Sequence, residues 1–289
     1  MPKIKTMSQQ NIKFLNTRDE PSALKLIESA FGYDQNFYYK EDFLPLFDQR
    51  FNSHSINAYA NENLIGHLGF CFREIIINDS KLPFCFIGAI AVDQAYRGQG
   101  LFRSMMDKVL KENINKVAGF LLWSSESKMY EKFGFTECGH IYQWGEEKNT
   151  LNFIRLENIN DHQLHELKSL YEKTWSNRVH RSAEQWLALK DMKSIEIYVD
   201  NIDKVESYFL RSKGFDLKDI IHEFASSSLS SFINDFSGSA VWSPIPTQTH
   251  LKKLWLGLAR QGHLWPKSMA SIEDTFNETD IMIGGIDSI

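Results

Sequence analysis

The sequence predicts a mixed α/β (α+β) fold: a mostly antiparallel sheet carrying one parallel strand pair, followed by a second half of related plan. Three observations predict it. Short polar turns link consecutive strand-like runs between Ser55 and Val92, the pattern of an antiparallel meander. An amphipathic helical stretch then joins Val92 to the wholly apolar run 118–123, a crossover that makes the flanking strands parallel. Past residue 150 the order of strand and helix begins again.

Residues 12–15 form a short apolar run, followed by a helix with Leu24, Ile27 and Phe31 at spacings of three and four, capped by Asp19 or Ser22. The aromatic-rich stretch 37–51 is helical in part and interrupted by Pro45. Strands are expected at 55–60, 64–77 and 85–92, with turns at Asn61, Glu62 and Asn63 and at Asn78, Asp79 and Ser80. Leu101, Phe102, Met105, Met106, Val109 and Leu110 trace one helix face. After the strand at 118–123, a short helix over 126–133 closes on Gly134, suited to the left-handed residue that ends a helix. A last strand pair is expected within 135–144.

The polar stretch 145–150 lacks apolar periodicity and divides a first domain, 1–148, from a second, 149–289. In the second, a strand at 152–156 precedes a helix with Leu164, Leu167 and Tyr171. Strands return at 195–199, 204–210 and 217–224, then a helix from about 227, a strand at 239–242 and a helix around 251–258. The relation between the halves rests on element order, since no sequence repeat is visible.

Composition bounds the function. Apolar residues at 43% and charged residues at 24% are ordinary for a soluble globular chain. A net charge of -5 with no basic stripe argues against a nucleic-acid partner. No run of ~18 apolar residues predicts a membrane span, and the first residues lack the apolar core of a secretory signal. Cys71, Cys85 and Cys138 are odd in number and lack CxxC spacing, so packed, reduced thiols are expected rather than disulfides or a zinc site. These features predict a cytoplasmic protein without a metal.

The informative segment runs from Ile87 to Arg103. It reads as a buried strand, a tight turn and a helix opening with Arg97, Gly98, Gln99 and Gly100. The first amides of a helix have no internal partner and sit at its positive end, so they suit a diphosphate. Glycine lets main-chain nitrogen approach phosphate oxygen, and Arg97 and Arg103 add charge at the edges of the cradle.

This segment, with Tyr130, Glu131, Lys132, Phe133, Gly134 and Phe135 after the next strand, resembles the acetyl-CoA-binding core of the GCN5-related N-acetyltransferase (GNAT) superfamily. The resemblance implies a fourth strand that splays from the fifth to admit the pantetheine arm. It places Ile90, Ala91 and Val92 along that arm, and Arg97, Gly98, Gln99, Gly100, Leu101, Phe102 and Arg103 around the diphosphate. Phe102 departs from the usual Q/R-x-x-G-x-G/A signature, which has a small residue there. The run from Ser125 and Glu126 to Tyr130 and Phe135 is similar to that of the enhanced-intracellular-survival acetyltransferases, which also carry a degenerate second half. That likeness implies cofactor contacts from Ser125 and Glu126 and a general acid at Tyr130. The third domain of that group has no counterpart here, so its aminoglycoside specificity is not carried over.

The activity implied is transfer of an acetyl group from acetyl-CoA to a small-molecule or peptide amine by direct attack on the thioester. A tyrosine of ordinary pKa, about 10, stays protonated at neutral pH and can serve as an acid. The base is left among Glu74, His67, a water chain and the C-terminal carboxylate of Ile289, the last because the chain's end reaches the active site in the resembling group. The alternatives are a non-catalytic acyl-CoA-binding or protein-interaction module, and an aminoacyl or other acyl transferase. His162 and His165 have helical spacing without a third ligand and are expected on the surface. Trp242, Trp255 and Trp265 are expected in ordinary packing, or else lining an acceptor pocket. The second half lacks an R-x-x-G turn after its 217–224 strand, so one cofactor per chain is expected.

Overall fold

Two-residue turns build the first part of the sheet. β1 (Ile12–Leu15), β2 (Ser53–Ala60), β3 (Asn63–Ile77) and β4 (Ser80–Val92) pair in succession, all antiparallel. Asn61, Glu62, Asn78 and Asp79 take positive φ, as such hairpins require. The computed structural model describes residues 11–17, 19–33, 37–144, 153–214, 216–229, 232, 240–244 and 252–289.

Helices cover both faces. α1 (Glu20–Phe31) starts on Asp19, whose carboxylate accepts from the Ser22 amide at 3.4 Å, and ends on Gly32 at φ 62°. It buries Ala23 and Ile27 on the same side as the short α2 (Tyr39–Asp42). On the opposite face, α3 (Leu101–Asn113) buries Leu101, Met105, Met106, Val109 and Leu110 against Leu68, Cys85 and Ile87. β5 (Gly119–Leu122) then lies parallel to β4, as the crossover requires. α4 (Ser127–Glu131) follows, and Gly134 takes φ 81° behind it.

Residues 135–144 form not a strand pair but one strand, β6 (Thr136–Trp144). Its partner comes from far along the chain. The second part contributes β7 (Ile154–Leu156), α5 (Asp161–Thr174), β8 (Arg178–His180), α6 (Ala183–Leu187), β9 (Glu196–Val199), β10 (Ser207–Arg211), β11 (Ile221–Ser226) and β12 (Val241–Ser243). It then supplies β13 (Lys252–Gln261), which runs antiparallel between β5 and β6 where a helix is expected around 251–258. Leu254, Leu256 and Leu258 also satisfy a period of two, and the unpaired edges of β5 and β6 decide between the periods. Gly257 permits the approach: a Cβ there would stand 2.7 Å from the Leu122 carbonyl.

One sheet therefore runs through both parts, in the order β1-β2-β3-β4-β5-β13-β6-β12-β11-β10-β9-β7, with β8 beside β3. β11 and β12 are parallel, like β4 and β5. The polar stretch 145–150 lies outside the described residues, as does most of the helix expected from about 227. After β13 come α7 (Ile272–Glu278) and a tail in which Ile281, Met282, Ile283, Ile286 and Ile289 are buried. Cys71, Cys85 and Cys138 are free and buried, and burial pushes the Cys71 thiol up to about 12. No helix among the described residues is long and apolar enough to cross a membrane.

Candidate functional site

β4 and β5 pair only from Phe84↔Gly119 to Phe86↔Leu121. From Ile87 to Val92, β4 runs on without β5, so the sheet opens beside it. A bulge sits in that stretch. Gly88 opposes Gly69 and Ala91 opposes His67, which leaves Ala89 and Ile90 facing Leu68 alone. Ala89 takes φ 50°, a left-handed conformation unusual for alanine. The side chains record the shift. Phe84 and Phe86 pack toward α1, and so do Ala89 and Ala91; Cys85 and Ile87 pack toward α3, and so do Ile90 and Val92. A bulge beside a gap re-aims main-chain groups away from the ladder, which regular alternation cannot do.

Beyond Val92 the chain turns through Asp93, whose carboxylate accepts from the Ala95 amide at 2.8 Å. Gly98 and Gly100 take φ 79° and 81°, and a Cβ on either would meet nothing within 4 Å. Conformation, not crowding, demands glycine there, and the space outside is open. Among the described residues no acceptor is bonded to the amides of Gly98, Gln99 or Gly100, and Leu101, Phe102 and Arg103 open α3. Arg97 and Arg103 are exposed, with Arg97 Nε donating to the Val92 carbonyl at 3.3 Å. A groove of about 570 Å³ lies alongside, between Leu26, Ser29 and Ala30 of α1 and the segment holding Val92, Asp93 and Arg97. Free amides, two guanidinium groups and open volume together fit an extended anionic ligand.

Phe102 does not narrow this turn. Its ring packs edge-on against Tyr130 at 5.7 Å and Phe133 at 5.5 Å, which ties the start of α3 to α4. Tyr130 is 5% exposed. Burial pushes its hydroxyl above the ordinary value, opposed by its hydrogen bond with Ser124, so it is protonated at neutral pH. Ser125 and Glu126 are exposed at the start of α4.

On the α1 side of β4, His67 is 4% exposed and burial lowers its pKa to about 4. Asn57 Nδ2 donates to the Thr17 carbonyl at 2.6 Å, so its Oδ1 accepts from His67 Nδ1 at 2.7 Å. The imidazole is thus neutral with its lone pair on Nε2. A Cβ built on Gly69 would lie 3.4 Å from that nitrogen, 3.4 Å from the Gly88 carbonyl and 3.5 Å from Ala89 Cβ, which places Nε2 beside the bulge. Glu74 is elsewhere: it pairs with Pro83, is exposed and bonds Lys81 at 2.6 Å. The main chain of Ile289 lies against Gly88.

Other sequence candidates fall outside this site. His162 is exposed and meets Glu166 at 3.5 Å, and His165 is exposed. Trp265 is buried against Phe84 with its Nε1 on the Ala270 carbonyl, and Trp242 bonds Gln143. Trp255 lies on β13 opposite His140. Among the described residues no group of three His, Cys, Asp or Glu side chains could hold a metal. Ala89 and Leu46 carry no local motif that would have marked them, whereas Ile289 was marked only by the resemblance.

Residues 11–138 match the family model for the acetyltransferase (GNAT) domain. Among solved structures, the chain is similar in fold to a probable N-acyltransferase of Enterococcus faecalis V583, at 16% identity over 88% of this chain and 73% of that one, TM-score 0.63. It is also similar to Eis1 of Mycobacterium abscessus, at 15% identity over 87% and 73%, TM-score 0.56. A putative acetyltransferase of Pyrococcus horikoshii shares 14% identity over 92% and 95%, TM-score 0.56. No curated protein matches the chain by sequence.

Proposed function

The chain carries a GNAT acetyltransferase domain over residues 11–138, and from that premise we propose that it transfers an acetyl group from acetyl-CoA to a primary amine of a small molecule or peptide. One observation carries the reading: β4 parts from β5 after Phe86 and Leu121 and leads directly to a turn of uncommitted amides at Gly98, Gln99 and Gly100. That turn, with Leu101, Phe102 and Arg103, holds the diphosphate. The main chain of Ile90, Ala91 and Val92 holds the pantetheine, and Ser125 and Glu126 flank it from α4.

Acetyl-CoA, when bound, supplies an activated acyl carbon. The protein's own groups supply the rest. A main-chain amide near Ile90, at the bulge, would stabilise the charge that develops on the acyl oxygen. His67 is the candidate that lies at the gap, its Nε2 lone pair beside Gly88 and Ala89; burial holds its pKa near 4, so it orients the acceptor amine by hydrogen bonding while a water chain takes the proton. Tyr130 holds a proton at neutral pH and gives it to the departing thiolate. The net charge of -5 favours a cationic acceptor. We propose 1–148 and 149–289 as two halves of related plan, on the parallel pairs β4/β5 and β11/β12 and one donor site.

Thiol release from acetyl-CoA across an amine panel tests this reading. Tyr130→Phe is expected to lower turnover by about 10²-fold or more with CoA binding near normal. Turnover equal to the unaltered protein removes Tyr130 from the mechanism. CoA binding with no turnover on any amine favours a binding module, and indifference to acetyl-CoA favours another acyl donor.

A further inference from the structure

The tail 281–289 is held by buried charge. Asp287 is fully buried and accepts from Arg73 Nη2 at 2.5 Å and from Arg181 Nε and Nη2 at 3.0 and 2.6 Å. Arg181 continues to Glu223 through Nη1 at 2.9 Å and Nη2 at 2.5 Å. Lys213 Nζ donates to the carbonyls of Gly285 and Ser288 at 2.7 and 2.6 Å, and the Gly285 amide donates to His222 Nδ1 at 3.1 Å. Glycine is needed twice in this passage, because a Cβ on Gly284 would collide with Glu223 and one on Gly285 with His222. Arg73 belongs to β3, while the other partners lie beyond residue 153. A buried ion network is a weak source of net stability but a strong constraint on geometry, since displacing one member leaves a charge unpaired.

The geometry so fixed sets Ile289 over β4 where the gap begins. A Cβ placed on Gly88 would lie 3.1 Å from the Ile289 main-chain carbon, 3.3 Å from its Cγ1 and 3.1 Å from Leu46 Cδ1. Gly88 is the second residue of β4 beyond the last pair with β5. Room above it therefore ends within about one carbon atom, closed by two buried apolar side chains. On the other arm, Trp123 packs against Phe86 at 5.5 Å. A donor whose diphosphate sits at the 98–103 turn and whose arm follows β4 backward must point its acyl end at this closed corner. Resting on the acetyltransferase reading above, we infer that Ile289 and Leu46 form the end wall of the acyl pocket and restrict the enzyme to short acyl groups. The second part of the chain then has a defined task at the first part's site: its Arg181, Lys213 and His222 hold that wall in register.

Equilibrium binding of CoA, acetyl-CoA and hexanoyl-CoA to the full chain tests the inference without a known acceptor. The unaltered protein should bind hexanoyl-CoA at least about tenfold more weakly than acetyl-CoA. Ile289→Ala and Leu46→Ala, which alter separate segments, should each reduce that ratio severalfold, and Ile289→Leu, which retains bulk, should preserve it. A wild-type ratio near one, or a ratio unmoved by both alanine variants while CoA binds normally, overturns the end wall alone. Failure of all three ligands to bind overturns both the wall and the reading beneath it.

Discussion

Each part of the molecule sends a strand out of the sheet into a turn, and the two turns end differently. After β4, the amides of Gly98, Gln99 and Gly100 have no bonded acceptor among the described residues, and the turn is exposed. After β11, the corresponding amides are taken. Ser226 donates to Thr174 Oγ1 at 3.2 Å, Ser227 to the Glu206 carbonyl at 2.8 Å and Ser228 to Ser226 Oγ at 3.0 Å. β11 itself is buried throughout and carries Glu223 into the ion network. A backbone that satisfies its own polar groups has nothing to offer a ligand; one that leaves them open at a helix start is a binding site. A strand followed by a turn thus leaves its amides open in one place and uses them for internal cohesion in the other.

The comparison breaks if stability and binding are not separable in this way. The largest effect should come from the network. Asp287→Ala leaves Arg73 and Arg181 buried without their shared carboxylate and should cost about 3–5 kcal/mol, read as a lower denaturant midpoint. A loss within 0.5 kcal/mol would show that the tail is not anchored through Asp287.

Next is acid. The folded protein holds His67 neutral down to about 4 and His222 down to about 3, while unfolded histidine takes a proton near 6.5. Between those values the unfolded state binds more protons, so stability is full above 6.5 and is lost as pH falls toward 4. His67 alone should account for roughly 3 kcal/mol of that loss. Chemical denaturation of the unaltered protein and of His67→Gln at pH 7 and pH 4.5 checks it, the variant showing the shallower fall.

Gly100→Val should cost less, about 1–2 kcal/mol for a left-handed φ of 81°, but should weaken CoA binding by about tenfold or more. Ser227→Ala, in the other turn, should leave CoA affinity untouched. Smallest is Glu74→Gln. Its ion pair with Lys81 is about half exposed on both sides, and stability should change by under about 1 kcal/mol with turnover unaffected.

Local chemistry made the turn at Gly98 and Gly100 readable. Gly98 and Gly100 announce a left-handed turn because few other residues tolerate one, and Leu101, Met105 and Val109 show the helix it opens. The crossover to β5 was legible because a whole apolar strand follows an amphipathic helix. The bulge was not, since alanine at position 89 carries no sign of φ 50°. β13 misled because its leucines fit a helix and a strand alike, and only the open edges of β5 and β6, fixed by tertiary structure, choose. Asp287 and Arg73 are 214 positions apart, and no periodicity connects residues that meet only after the tail has folded back.

Titration calorimetry of the full chain with CoA tests the central claim most directly. One site per chain is expected, with affinity reduced about tenfold or more by Gly98→Val and Gly100→Val together and unchanged by Ser227→Ala. Two sites per chain, no binding at all, or the same isotherm with and without the glycines would contradict it.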